Sequence, residues 1–199
     1  DLQAGIIKSI TGKDYVERCI LKAIKNDIVI YSAHTNLDNA YGGVNYKIAE
    51  KIGLKNLQVL EPKENSLQDD LTQAGVGIVG ELDEPETELE FLKRIKKTFE
   101  VGCVRHNRLT GREIQKVALC GGAGAFLLPQ AIRAGADVFI TGEIKYHDYF
   151  GHEGDILMAE IGHYESEQYT KEIFYSIIRD LFPNFALQLS KINMNPIKY

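Results

Sequence analysis

The segment EIQKVALCGGAGAFLLPQAIRAGADVFIT, residues 113–141, decides the fold class. Its two ends, 113–120 and 136–141, are short runs rich in apolar and β-branched residues, which is typical of buried strands. Between them, residues 126–135 predict a helix that ends at Gly135, because glycine is the usual residue just after a helix. A strand, a helix and a second strand in this order predict a parallel βαβ unit.

Similar elements extend on both sides of this unit, so the sequence predicts an α/β protein whose sheets are mainly parallel. A polar stretch without periodicity, residues 62–72, separates these elements into two groups. We therefore predict two similar α/β halves, 1–68 and 69–199. The other predicted elements are strands at 27–33, 57–62 and 75–82 and helices at 14–26, 44–54, 85–100 and from 162 to 181.

Two stretches, one in each half, share a pattern. Residues 27–38 read DIVIYSAHTNLD and residues 137–148 read DVFITGEIKYHD. Each opens with Asp, continues as an apolar strand and ends in a polar loop that contains a histidine and closes on Asp. A duplicated α/β unit would explain the likeness, and so would coincidence over so short a stretch.

Composition and charge narrow the range of functional classes to which the protein can belong. The 199 residues include 23 Lys and Arg against 28 Asp and Glu, so the net charge is −5, and no basic block is present. This balance disfavours nucleic-acid binding, which depends on clustered cations. No apolar run approaches the roughly 20 residues of a membrane-spanning helix, and we expect a cytoplasmic protein without membrane contact. The three cysteines lack CxxC spacing, so we expect buried, reduced thiols.

The strongest candidate for chemistry is GHYESE, residues 162–167, at the start of the last predicted helix. His163 and Glu167 are four residues apart, so on a helix their side chains lie one above the other and can hold one ion. An imidazole with a carboxylate suits zinc, iron, manganese or nickel better than calcium. The alternative is a capped helix start with a solvent-exposed ion pair.

A second polar cluster, AHTNLD at residues 33–38, directly follows a predicted strand. Loops at the carboxyl ends of strands in an open α/β sheet converge on the ligand-binding crevice. Asp38 is a candidate to bridge two metals or to orient a metal-bound water, and its alternative role is to cap the following helix. His34, with Thr35 beside it, is a candidate to hold a ligand or relay a proton, and a structural strand-end histidine is the alternative.

A third polar cluster, TGEIKYHD at residues 141–148, also follows a predicted strand. Glu143 and His147 repeat the four-residue spacing. We expect them to support a metal site rather than to bind the ion themselves, and a structural salt bridge involving Lys145 is the alternative.

The glycine-rich run CGGAG, residues 120–124, superficially resembles a phosphate-binding loop. It does not complete G-x-G-x-x-G, because Leu127 stands where the third glycine belongs. We interpret it as a close-packed turn between a strand and a helix.

The four motifs together resemble those of the GTP cyclohydrolase I type 2 homologue family, the Ngg-interacting-factor-three-like proteins. The resemblance spans nearly the whole chain. It implies a two-metal site in a cleft between two similar α/β halves, and a ring-shaped homohexamer. The family's metal ligands that fall on this sequence are Asp38, His163 and Glu167. The motifs are AHTNLD (33–38), CGGAGAFL (120–127), GADVFITGEIKYHD (135–148) and GHYESE (162–167).

The family's ligand set also includes two adjacent histidines in an HHP motif, which this sequence lacks. LQAG at residues 2–5 resembles a motif near the family's N-terminus, while residues 8–19 resemble the stretch just after HHP. We hypothesise that a segment is missing near residues 5–7 and that a family insert domain is missing near 68–70. If the chain is contiguous, the two histidine ligands are absent.

These expectations lead to two main functional hypotheses. The first is a metal-dependent hydrolase with a dinuclear centre, two divalent ions per chain, that acts on a nucleotide or a related small molecule, because two metals bridged by Asp38 would activate a bound water. The second is a non-catalytic metal-binding or regulatory scaffold that acts through its oligomeric ring. A nucleic-acid-binding ring is a third reading, which the acidic balance disfavours.

Overall fold

The computed structural model describes residues 9–62 and 74–198, and the chain forms two compact units, 1–37 and 38–199. The predicted boundary between residues 68 and 69 lies outside the described residues. So do the two hypothesised missing segments, near residues 5–7 and near 68–70. These three predictions therefore stay predictions.

The first unit contains helix α1, Tyr15–Lys25, which confirms the helix predicted over 14–26. Asp14 caps its N-terminus by accepting a hydrogen bond from the Glu17 N–H at 2.8 Å. The Glu17 side chain is buried, and its Oε2 accepts bonds from the N–H groups of residues 11–13 and from the Thr11 hydroxyl, at 2.7 to 3.2 Å. These bonds hold residues 11–13 against the start of the helix.

The strand predicted over residues 27–33 is wrong. Residues 28–34 adopt neither helix nor strand, and Val29 and Tyr31 are 93% and 75% exposed. None of the strands in the described parts of the chain pairs with this segment. A β-branched run favours an extended backbone, but a strand forms only when a neighbouring strand satisfies its N–H and C=O groups. A single helical turn, α2, Thr35–Asp38, follows.

The second unit contains a six-stranded sheet within the described residues. Its strands are β1 (Lys55–Pro62), β2 (Gly75–Thr87), β3 (Arg105–His106), β4 (Glu113–Cys120), β5 (Val138–Thr141) and β6 (Leu157–Glu160). They lie in the order β1, β2, β4, β5, β6, β3. Among the pairings of these strands, β4 with β5 and β5 with β6 are parallel, and the other three are antiparallel.

The prediction of mainly parallel sheets is therefore wrong, and the fold is a mixed α/β fold. Strand β1, which the sequence assigns to the first half, pairs with β2 of the second half in the same sheet. The arrangement of two similar halves is accordingly not confirmed. Strand and helix alternation alone does not fix strand direction, because a chain that visits the far edge of the sheet can return antiparallel. Here β2 and β4 are antiparallel because the chain passes through β3 between them.

The three parallel strands form the centre of the sheet and confirm the predicted βαβ unit. Helix α5, Leu128–Arg133, connects β4 to β5 and ends just before Gly135, whose φ is 69°. All residues of β5 are buried, which requires cover on both faces of the strand. Phe139 packs in an apolar cluster with Leu128 and Ala131 of α5. Strand β6, Leu157–Glu160, is not among the predicted elements, and its sequence LMAE has no β-branched residue.

Two further helices pack against β2 and β4. Helix α3, Val44–Ile52, ends at Gly53 in the left-handed conformation, as predicted. Helix α4, Glu88–Thr98, starts at Glu88 rather than at the predicted residue 85, because β2 continues as far as Thr87. Thr87 then caps α4 in a reciprocal arrangement with Glu90, which fixes the start of the helix.

The helix predicted from residue 162 is two helices, α6, His163–Glu167, and α7, Thr170–Leu181. On α7, Ile173 is 7% exposed, whereas Ile177 and Leu181 are exposed. Residues 182–198 form neither helix nor strand. No helix in the described residues is long and apolar enough to cross a membrane.

The cysteines match the expectation only in part. All three are free thiols, but Cys19 and Cys103 are exposed and Cys120 alone is buried. Cys19 lies on an outward face of α1, and Cys103 lies in the loop before β3. Cys120 is buried because it ends the central strand β4.

Candidate functional site

Three loops leave one edge of the sheet. Cys120, Thr141 and Glu160 end the parallel strands β4, β5 and β6 and lie side by side in register. The glycine-rich turn 121–124, the loop 142–149 and the start of α6 follow these three strand ends. The motifs of this unit therefore share the carboxyl edge of the sheet, where loops of parallel strands form ligand sites.

His163 is the centre of this candidate site. Its Nδ1 lies 2.7 Å from Glu143 Oε1, and its Nε2 lies 3.5 Å from Glu167 Oε1. The side chains of His163 and Glu167 are 46% and 35% exposed, so a ligand from solvent can reach both. When Nδ1–H donates to Glu143, Nε2 carries the lone pair that can bind a cation. Glu143 thus orients the imidazole so that Nε2 lies beside the Glu167 carboxylate.

Two glycines allow the loops to approach His163 closely. At Gly122, φ is 62° and an added Cβ would lie 2.5 Å from Glu167 Oε1 and 3.4 Å from His163 Nε2. At Gly142, an added Cβ would lie 2.6 Å from the Gly122 carbonyl oxygen and 2.9 Å from His163 Cα. A side chain at either position would occupy the space between the loops, so the site depends on bare backbone there.

The glycine-rich turn uses its N–H groups within the protein. Three of its glycines donate to side-chain oxygens at 2.9 to 3.0 Å: Gly121 to Asn45, Gly122 to Ser166 and Gly124 to Thr141. A phosphate cradle needs such groups to point at the ligand. The interpretation of residues 120–124 as a close-packed turn is therefore confirmed.

Buried hydroxyl groups hold the site together, and sequence reasoning missed them. The Ser166 hydroxyl accepts the Gly122 N–H and donates to the His163 carbonyl oxygen at 2.8 Å, so it ties α6 to the turn. The Thr141 hydroxyl donates to the Gly122 carbonyl oxygen at 3.2 Å. Both residues stand inside quoted motifs, at 1% exposure, next to charged residues that draw attention first. Their position inside TGE and GHYESE is the only sequence signal.

Asp38, the last residue of α2, is connected to the same turn through its backbone. Its carbonyl oxygen accepts a hydrogen bond from Asn45 Nδ2 at 3.0 Å, and Asn45 Oδ1 accepts the Gly121 N–H. Asn45 is 1% exposed, so it forms a buried bridge from Asp38 to the turn. The capping alternative for Asp38 is wrong, because Gly43 is the N-cap of α3.

The buried thiol of Cys120 lies within electrostatic range of the carboxylates of Asp38 and Glu167. Burial, and after it the negative charges of Asp38 and Glu167, raise the pKa of Cys120 to about 12. The two carboxylates are therefore close enough to act on the end of β4. In the absence of a neighbouring cation this thiol is protonated at neutral pH, so it is not a nucleophile.

The other predicted site residues are His34, Thr35 and His147. His34 and Thr35 belong to the first unit, where both are exposed, and the His34 N–H donates to Asn36 Oδ1 at 2.8 Å. Their functional role stays a prediction. His147 is exposed in the turn Tyr146–Tyr149, and its ring packs edge to face against Tyr146 with centroids 5.5 Å apart.

A divalent ion fits the His163 and Glu167 pair. Their donor atoms are adjacent, and Glu143 is placed to accept an Nδ1–H, which would leave Nε2 as the ligand atom. Within residues 9–62 and 74–198, however, no three His, Cys, Asp or Glu side chains lie close enough together to hold a metal. Asp38 as a further ligand therefore stays a prediction.

Comparison with known families decides what the chain is related to. The profile of the family described as Duf34/NIF3 (NGG1p interacting factor 3) matches residues 5–196. The chain belongs to the Duf34/NIF3 family. This result confirms the resemblance drawn from the four motifs, all of which lie inside the matched range.

Curated relatives extend this assignment. Proteins named GTP cyclohydrolase 1 type 2 homolog are 35% identical over 162 residues in Clostridium perfringens and 31% identical over 187 residues in Lactococcus lactis. These alignments cover 80% and 91% of this chain but 59% and 66% of the relatives. This Duf34/NIF3 chain thus spans only part of the length of the relatives that it matches.

A solved structure shows the same fold. The Staphylococcus aureus hypothetical protein SA1388 superimposes on this chain with a TM-score of 0.89 at 27% sequence identity. The superposition covers 100% of this chain and 77% of that protein. The mixed sheet and its helices are therefore shared with this solved structure.

Proposed function

We propose that this Duf34/NIF3 protein binds two divalent metal ions per chain and hydrolyses a nucleotide or a related small molecule. Asp38, His163 and Glu167 are the proposed ligands, and zinc, iron, manganese or nickel are the proposed ions. The homohexameric ring that the family resemblance implies is part of the same proposal, with copies of this chain as its partners.

The arrangement of Glu143, His163 and Glu167 carries the proposal. A histidine that binds a metal through one nitrogen usually donates its other N–H to a carboxylate or carbonyl. Glu143 supplies such a carboxylate at 2.7 Å from Nδ1, and Glu167 stands 3.5 Å from Nε2. A metal at Nε2 would be held jointly with Glu167, whereas an imidazolium would instead donate an N–H to each of the two carboxylates. The metal content per chain distinguishes these two arrangements.

The chain's own residues would divide the work of such a site. Glu143 holds the imidazole in one orientation, and the bare backbone of Gly122 leaves space beside Glu167 for a substrate. Ser166 keeps α6 against the glycine-rich turn, so the donors stay in place. When bound, divalent ions would lower the pKa of water and polarise the substrate.

The choice of substrate rests on the relatives. Two of them carry the name GTP cyclohydrolase 1 type 2 homolog, which points to a purine nucleotide. The chain covers 59% and 66% of the lengths of these two relatives.

Elemental analysis of the purified protein, with its intact mass verified, tests the metal part. The parent should hold about two ions per chain, and His163→Ala should lose them because the imidazole donor is removed. His106→Ala is the matched control, since His106 is an exposed histidine of β3 in the same unit. Equal metal content in all three proteins, or none in the parent, would contradict the proposal.

A nucleotide hydrolysis assay on the metal-loaded parent tests the catalytic part. We expect release of hydrolysis product by the parent and by His106→Ala, and a loss of more than about a hundredfold in kcat/KM for His163→Ala. Equal turnover by all three proteins would show that the activity does not arise at this site.

A non-catalytic metal-binding or regulatory scaffold is the second candidate function. A metal-loaded protein that turns over no nucleotide would support the scaffold and reject the hydrolase.

A further inference from the structure

A pocket of about 640 Å³ opens beside the candidate site, within the second unit. Helix α6 and the start of α7 line it together with residues 190–197 of the C-terminal segment. Glu143, His163 and Glu167 all contribute to its lining. Its volume lies within the range of about 300 to 1,000 Å³ that is usual for small-molecule sites.

One wall of this pocket is apolar and comes from the C-terminal segment. Ile192, Met194 and Ile197 line it and are 73%, 78% and 55% exposed. These side chains are therefore not part of the core, and burying them against a ligand would release their apolar surface from water. We call these three residues the C-terminal wall.

The C-terminal wall is anchored to the helix that carries the site. Asn195 Nδ2 donates to Glu165 Oε1 at 2.8 Å, and the two residues are 8% and 6% exposed. Glu165 lies in α6, between the two site residues His163 and Glu167. A buried hydrogen bond to a carboxylate is stronger than an exposed bond between neutral groups. This bond therefore fixes the position of the C-terminal wall relative to α6.

Lys171 adds a positive charge to the same pocket. It is on α7, and its Nζ donates to the Ser190 carbonyl oxygen at 3.2 Å. Across the described part of the chain, no carboxylate lies within ion-pair distance of this ammonium group. An ammonium group has three N–H donors, so donors remain for a ligand.

We propose that this pocket binds a small organic anion with a flat ring, and that Lys171 holds its anionic group while the C-terminal wall contacts its ring. The inference rests on the proposed function, because it places the substrate beside His163, and it adds the residues that select the substrate. The charge of Lys171 and the apolar character of the wall argue together for this class of ligand. Since Glu143 and Glu167 also line the pocket, the anionic group is expected to contact Lys171 rather than these two carboxylates.

A matched pair of fluorescent probes tests the role of Lys171. The riboside of 2-aminopurine and its 5′-monophosphate share a ring and differ in one anionic group. Fluorescence titration without added metal should show that the parent binds the monophosphate about tenfold more tightly than the riboside, as expected for one charge-assisted hydrogen bond. Lys171→Gln should remove this difference and leave riboside binding unchanged.

Lys97→Gln is the matched control, because Lys97 is an exposed lysine in the last turn of α4 and does not line the pocket. It should keep the tenfold preference of the parent. The proposal is overturned if Lys171→Gln retains the preference, if both lysine variants lose it equally, or if the parent binds neither probe.

Met194→Ser tests the wall without disturbing the core, since Met194 is 78% exposed. This substitution should weaken the binding of both probes by a similar factor, about threefold to tenfold, because it removes a contact with the ring and leaves the contact of the anionic group with Lys171 unchanged. Sedimentation velocity on the same variant distinguishes another occupant. If the variant dissociates an assembly and binds both probes as the parent does, the wall is a contact between copies and the proposal fails.

The binding titrations need neither metal nor turnover. Probe binding that depends on Lys171, in a protein without hydrolytic activity, would reject the hydrolase and keep the pocket. Hydrolysis that does not respond to Lys171→Gln or Met194→Ser, in kcat/KM, would keep the hydrolase and reject the pocket.

Discussion

Residues 27–38 and 137–148 start from nearly the same sequence pattern and form different structures. Both open with Asp and continue with an apolar run rich in β-branched residues. In the second stretch, Val138–Thr141 form β5 and are buried throughout. In the first stretch, residues 28–34 form neither helix nor strand, and Val29 and Tyr31 are exposed. The likeness in sequence therefore does not extend to the structure.

The difference lies in the neighbours and not in the composition. β5 has β4 on one side and β6 on the other, so its N–H and C=O groups are paired. Phe139 also packs against Leu128 and Ala131 of α5. β-propensity describes a fit to a pleated, covered surface, and that surface must be present for the strand to form. A β-branched run is thus not sufficient to form a buried strand.

The largest expected effect is a difference in the loss of stability between two substitutions, at Ile140 and at Ile30. These two isoleucines occupy matching positions of residues 137–148 and 27–38. Ile140 is 1% exposed and Ile30 is 46% exposed. Ile140→Ala should lower the free energy of unfolding by about 3 kcal/mol, because it leaves a cavity in the core. Ile30→Ala should change it by less than about 1 kcal/mol. Urea denaturation of both variants measures the difference, and equal effects would show that the comparison is wrong.

A smaller effect is expected where the loop after β5 meets the glycine-rich turn. Glu143 in that loop donates its N–H to the Gly122 carbonyl oxygen at 3.1 Å. Gly122→Ala should destabilise the protein by about 1 kcal/mol, because φ is 62° there, and should displace Glu167, since the new Cβ would lie 2.5 Å from Oε1. The metal content per chain of Gly122→Ala, measured by elemental analysis, should therefore be lower than that of the parent.

Gly111→Ala is the control for this substitution. Its φ is 78°, but an added Cβ would meet no atom within 4 Å. The same loss of about 1 kcal/mol is therefore expected, without any loss of metal. If Gly111→Ala releases metal as Gly122→Ala does, the effect comes from general destabilisation and not from the site.

The smallest expected effect concerns how the first unit is held together. The Thr11 hydroxyl, and with it the N–H groups of residues 11–13, lower the pKa of Glu17 from its usual 4.5 to about 2. A carboxylate whose folded pKa is lowered stabilises the fold above its usual pKa, and the contribution is lost as the pH falls from 4.5 towards 2. Protection of the Gly12 amide against hydrogen exchange should therefore decrease between pH 6 and pH 2.

The Ile140 amide in β5 gives the internal reference for this measurement, because it lies in a paired, buried strand. Glu17→Gln should lower the protection of Gly12 at pH 6 and abolish its dependence on pH. A Glu17→Gln protein with the parent's pH dependence would assign the effect to another group.

Local patterns predicted the elements whose hydrogen bonds are local. Helices α1 and α3 begin and end where their caps stand, at Asp14 and at Gly53, because caps act within one turn. The start of α4 differs from the prediction because the pairing of β2 with β4 extends to Thr87. That pairing joins residues far apart in sequence, and periodicity within a short window does not contain it.

In the candidate site, too, the sequence predicted the local arrangement but not the contacts between distant segments. The four-residue spacing of His163 and Glu167 placed both on one helix, as the sequence indicated. The contact of His163 with Glu143 joins residues on different loops, and the roles of Ser166 and Asn45 follow from the approach of α6 and α3 to the glycine-rich turn. None of these contacts has a periodic signature in the sequence.

The sequence alone determined the family, the central βαβ unit and the motifs that carry the candidate ligands. Residue type and short-range spacing are enough for these, because they depend on local backbone preferences and on side chains one helical turn apart. The tertiary structure decided the strand directions, the failure of residues 27–33 to form a strand, and the pocket formed with the C-terminal wall. Each of these depends on which distant segments satisfy backbone hydrogen bonds and cover apolar surface, and that is a property of the folded chain.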